Sequence, residues 1–218
     1  SETLNGWAIP SATDIVFSGF CIYFLWGTYL VVFPILIYSV LYYSTADSRW
    51  HESGHGTAFK TDWMNNFLYF ISSFMLYRLP ISWRWSHARH HSDTIIVGRD
   101  PEITAPRPPD IKGMILKMIG IKLTFKETKK WINHLAGKVG IEEAEYVPKD
   151  EYHKMLLPAW IWVFIYSIFI GLAVFYKTTL PLFYVIFPKF FGSYLKTIYA
   201  LTQHAGLAEN VLDHRKNC

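Results

Sequence analysis

Cysteine is nearly missing from this chain of 218 residues. Cys21 sits in an apolar run and Cys218 is the last residue, so no disulfide framework can be drawn and the redox compartment stays unread. No flavin, haem or iron–sulfur motif is present, so any electrons the protein uses come from outside it. Internal repeats and low-complexity tracts are missing too. No basic stretch with a small-residue cleavage site opens the chain, so no signal peptide is expected. Charge is thin: 17% of residues carry one, and the formal net charge is +4. The basic residues lie between hydrophobic segments, which suits a membrane surface and not a nucleic acid. Apolar residues are what the chain has in plenty. It is 51% hydrophobic and 18% aromatic, with positive mean hydropathy, above the soluble average and in the membrane class. The length fits one membrane-embedded domain over residues 1–218.

Residues 1–14 read as a polar lead-in. Residues 15–43, almost unbroken apolar, read as the first transmembrane region. At ~1.5 Å per residue they are too long for one straight crossing of a ~30 Å hydrocarbon core and short for two. One tilted helix kinked at Pro34, or a hairpin turning near Gly27, is expected. Residues 44–154 form a cytoplasmic and interfacial region. Within it Phe67 to Tyr77, eleven residues, is expected to lie at the interface or re-enter. Trp83 and Trp85 resemble an aromatic belt. Ser92 to Asp110 reads as a loop rich in proline. Residues 111–126 read as a surface segment with snorkelling Lys112, Lys117, Lys122 and Lys126. Residues 138–154, with Glu142, Glu143, Glu145, Asp150 and Glu151, read as a solvated loop without chemistry.

Met155 to Tyr176 holds 22 residues without a formal charge and gives the strongest transmembrane signal. Leu182 to Leu201 returns after a short turn, making a hairpin over 155–201. The expected fold is therefore an all-α integral membrane protein: transmembrane helical hairpins with a cytoplasmic histidine-lined cap. Nothing crosses between His55 and His87, and two crossings separate His91 from His204, so all these histidines face one side. Thirteen lysines and arginines between Arg84 and Lys154, against one in the turn at Lys177, make that side cytoplasmic.

Five of the nine histidines fall between His51 and His91. In a helix His51 and His55 share one face, as do His87 and His91, with His90 beside them. Imidazole suits iron, zinc, copper and nickel. Five ring nitrogens exceed what one four-coordinate zinc needs, which points to two metals. His51-Glu52-Ser53-Gly54-His55 is also an HExxH pattern, so a membrane zinc peptidase is an alternative, with Glu52 as its base. A membrane protein with a degenerate, non-catalytic site is another. Asp47 and Asp93 lie near enough in sequence to orient ligating rings, and Glu52 is placed for similar support. His134 and His153 read as ordinary surface histidines.

His51–His55 and His87-Ala-Arg-His90-His91 resemble the first two histidine boxes of the integral-membrane fatty acid desaturase superfamily, which includes membrane hydroxylases and alkane monooxygenases. The resemblance implies two iron ions, molecular oxygen as co-substrate, and abstraction of hydrogen from a fatty-acyl or similar lipid chain that enters from the bilayer. Residues 57–85 are candidates to line that path. An external electron donor of ferredoxin, rubredoxin or cytochrome type is implied, docking on the basic cytoplasmic face. Gln203-His204-Ala205-Gly206-Leu207 is similar to an element of the alkane monooxygenase branch whose histidine binds iron. The implied ligands are His51, His55, His87, His90, His91 and His204. The boxes match the desaturase branch in spacing, whereas His204 leans toward hydroxylation. The superfamily pattern ends in a third box that residues 204–218 do not contain, and His214 stands alone there. A C-terminal segment carrying that box is expected to lie outside this sequence.

Overall fold

A chain this apolar must satisfy its backbone internally, and helices do so segment by segment. The computed structural model describes residues 32–103, 107–204 and 206–213, and every regular element among them is helical. The order is α1 (Val32–Gly54), α2 (Asp62–Leu76), α3 (Pro80–Ser92), α4 (Ile111–Met118), α5 (Ile121–Leu135) and α6 (Ile141–Ala144). A 3₁₀ turn (Lys149–Lys154), α7 (Leu156–Phe175), α8 (Leu180–Val185) and α9 (Pro188–His204) follow. The turn near Gly27, both cysteines and His214 lie outside the described residues.

α1, described from Val32, continues without a break to Gly54, inside box one. α2 packs along it, burying Tyr43, Ala46, Trp50, Tyr69 and Leu76 in one cluster. The segment read as interfacial falls largely within a 15-residue helix that buries Tyr69, Ser72, Ser73 and Leu76 and turns Trp63, Phe67 and Ile71 outward. Tyr77 ends α2 in the left-handed region and hands its N–H back to the last turn. Pro80 opens α3 at a position where no N–H is needed. This tight reversal returns box two to the side of box one. Trp83 packs against the buried cluster.

α9 crosses α1 at Gly192. A Cβ there would fall 2.2 Å from the Ser39 carbonyl oxygen and 2.5 Å from Tyr43 Cβ, so only glycine permits the approach. Gly120, with φ 69°, separates α4 from α5 and touches the Lys189 carbonyl. A second cluster of Leu79, Trp131, Ala159 and Trp162 seats α5 and α7 against the α2–α3 reversal.

Among the described residues one stretch, Lys149–Phe175, is long and apolar enough to cross a membrane. Leu157, Trp160, Phe164, Val174 and Phe175 on α7 are largely exposed, as a lipid-facing helix requires. The expected return arm is not one apolar helix. It breaks between α8 and α9, and α9 carries Lys189 and Lys196 inward, where Lys196 reaches Asp47 of α1 at 3.9 Å and Lys189 lies over the Tyr77 ring. The charged stretch 138–154 is not a plain solvated loop. Glu143 is buried, accepting from Ser82 Oγ at 2.5 Å and facing His134 Nε2 at 3.1 Å. His134 is likewise buried, not a surface residue, whereas His153 is exposed.

Candidate metal centre

The last turns of α1 and α3 deliver the histidines. His51 and His55, four apart, stack with ring centroids 4.7 Å apart. His87 and His91 do the same at 4.6 Å. The two pairs face each other, with His51–His87 at 4.9 Å, His55–His87 at 5.1 Å and His55–His91 at 4.7 Å. One nitrogen from each of the four lies within 4.8 Å of the others. His87 Nε2 is 3.2 Å from His55 Nε2 and 3.1 Å from His91 Nε2.

Glu102 decides what that convergence means. Its Oε2 sits 3.3 Å from His87 Nδ1, which places the ring proton there and leaves a lone pair on Nε2. One in-plane lone pair cannot accept well from two neighbouring rings at once. A cation among three converging nitrogens resolves the conflict, and imidazole is a fitting ligand for iron. Ser86 Oγ donates to the other Glu102 oxygen at 2.9 Å and fixes the carboxylate.

His90 is not one of the four convergent rings and is buried. Its Nδ1 meets both oxygens of Asp100 at 2.9 and 3.0 Å. Asp100 in turn accepts from the backbone of Ile95 and Glu102, each at 2.8 Å. His204, at the end of α9, presents its ring 5.0 Å from His90, and its Nδ1 is buried with no hydrogen-bond partner among the described residues. His90 remains near the cluster, 5.5 Å from His91 and 5.9 Å from His87 by centroid. The six expected ligands therefore form one patch: four rings together and a pair adjoining them. The segment after His204 is tied to the loop after box two. Asn210 accepts from Val97 N at 3.0 Å and donates its own N–H to the Ile95 carbonyl at 3.1 Å.

The electrostatics favour ligand forms. Burial pushes the His91 pKa down to about 4, aided by His87 and its neighbours. His55, His87 and His204 are lowered chiefly by burial and then by nearby histidines, Glu102 partly opposing this at His87. At His90 burial pulls down, but Asp100 outweighs it and the net shift is upward. Burial would raise Glu102, yet the hydrogen bond and charge of His87, with Lys196, bring it to about 2.

The ring-orienting carboxylates are thus Asp100 and Glu102, which the sequence did not single out. Of the acids it did suggest, Asp47 and Asp93 are engaged elsewhere. Asp47 pairs with Arg78 at 3.0 Å, and Asp93 pairs with Arg89 and Arg99 at 2.7 Å each. Glu52 is exposed and lies 3.6 Å from His51 Nδ1. The available signal was the pair of acids flanking Pro101, which loop composition concealed.

The fatty acid desaturase family model matches residues 24–218, which cover both boxes, the loop after them and α9. The chain belongs to the fatty acid desaturase family. No curated protein and no solved structure matches it. As a desaturase-family member it is a membrane-associated oxidoreductase of the desaturase or hydroxylase kind, from a family that acts on lipid or acyl chains and is typically di-iron. This membership replaces the zinc-peptidase reading of His51–His55.

Proposed function

We propose that the protein is an oxygen-dependent di-iron desaturase of a fatty-acyl or similar lipid chain, with His51, His55, His87, His90, His91 and His204 as iron ligands. The carrying observation is the convergence of four imidazoles from two helices, with carboxylates behind His87 and His90. Two ferrous ions held there would supply the power to use molecular oxygen against an unactivated C–H bond. The protein's own part is to hold and orient. Glu102 and Asp100 fix which nitrogen of His87 and His90 faces forward. Partial burial keeps His87 and His91 neutral and ready to bind.

The lipid-facing sides of α2 and α7 suit a substrate that arrives through the bilayer. His55 and His91 are exposed at the outer edge of the cluster, which suits oxygen and solvent access. The electron donor docks on the cytoplasmic face. A hydroxylase of the alkane monooxygenase type is the second reading, favoured by the contact of His204 with His90. Placement of the substrate carbon decides between a second hydrogen removal and oxygen rebound. Mass spectrometry of lipids from an expressing strain separates the two. Loss of two hydrogens supports the desaturase, and gain of one oxygen supports the hydroxylase. Neither product, with donor and oxygen supplied, would contradict both.

A further inference from the structure

Arg78 is fully buried in the reversal between α2 and α3, in a place where a cation needs a reason. Among the described residues none of its guanidinium nitrogens has a hydrogen-bond partner of good geometry. Its compensation comes from elsewhere. Asp47 lies 3.0 Å away, and the rings of Trp50 and Trp83 lie 4.4 and 4.7 Å from its central carbon.

Each of these partners sits beside a histidine. Asp47 is one turn before His51, and Trp50 immediately precedes it. Trp83 is one turn before His87, and the Trp50 ring rests 5.0 Å from the His87 ring. Asp47 also reaches Lys196 at 3.9 Å, two turns before His204 on one face of α9. Trp83 is itself oriented from below, its Nε1 donating to Glu127 at 2.8 Å. One planar cation therefore touches α1 and α3 directly and α9 through Asp47, all within two turns of the rings.

We propose that Arg78 is a positioning residue that sets the relative register of the three histidine-bearing helices. This rests on the metal-centre reading above. The flat guanidinium packs into the corner made by two indoles whose planes meet at 83°, and its charge holds Asp47. A lysine would keep the charge but not the plane, so it should restore the ion pair and leave the helices misaligned.

The test is cobalt(II) binding to purified protein in nanodiscs, followed by visible absorption and isothermal titration, with thermal unfolding in parallel. Arg78→Lys is expected to bind cobalt on the order of tenfold more weakly and with a changed absorption band, as loss of outer partners does at other metal sites. Trp83→Phe, whose smaller ring loosens the Arg78 contact from the α3 side, should move the band in the same way and decides the matter if Arg78→Lys does not fold. Trp162→Leu, buried away from the histidines, should lower thermal stability and leave the band unchanged. Unchanged cobalt affinity and spectrum in Arg78→Lys, or an equal change in Trp162→Leu, would overturn the inference alone. A wild type that binds no cobalt would overturn the metal-centre reading and this inference with it.

Discussion

Single side chains carry the proposed chemistry, and two of them act from behind the proposed ligands. Glu102→Gln removes the negative charge that sets the His87 tautomer. Iron affinity should fall about 10–100-fold, read by titration, while the helical circular dichroism signal is kept. A similar loss is expected for Asp100→Asn at His90. The histidines were legible because i, i+4 spacing is a local signal that a helix converts directly into a shared face. Asp100 and Glu102 were not, since nothing local says which loop carboxylate folds back onto which ring. Glu143 escaped for a related reason: a charged stretch looks solvated until its partner is known, and His134 lies outside that stretch. Burial would raise the Glu143 pKa, but the hydrogen bond and charge of His134 lower it below the ordinary 4.5. A depressed carboxylate stabilises the fold above its unfolded pKa and loses that contribution as pH falls through the folded value. The gap in Tm between wild type and Glu143→Gln should therefore be widest above pH 4.5 and shrink below it. A gap that stays constant into acid would show that the pair contributes nothing through ionisation.

At the level of elements, close helix crossings do the positioning. Gly192 lets α9 lie on α1, which carries His204 toward box two. Gly192→Ala places a carbon where the Ser39 carbonyl already sits. It should destabilise by about 1–3 kcal/mol, read as a lowered Tm, and should disturb His204 before His51. Asn65 pins the link after box one, accepting from Phe59 N and donating to the carbonyls of Gly56 and Phe59. Asn65→Ala should cost about 2 kcal/mol and loosen residues 56–60, read by faster hydrogen exchange there. Helices were legible from the apolar runs, and the α7 signal needed no tertiary information. The break at α8–α9 was hidden because apolar composition cannot tell one returning helix from two. The buried part of α2 was hidden because an eleven-residue apolar run says nothing of the partner it meets.

On the scale of the whole molecule, the long apolar helix and the histidine cluster lie on different helices. α7 exposes an apolar surface, while α1, α3 and α9 end together at the histidines. The family match over residues 24–218 fits that division. Iron content with Mössbauer spectroscopy on the purified protein, beside its His87→Ala and His91→Ala variants, tests the central claim most directly. Two nitrogen-ligated irons per chain are expected in the wild type, with loss of iron in both variants. Zinc in place of iron, or iron retained in full when His87 and His91 are removed, would contradict it.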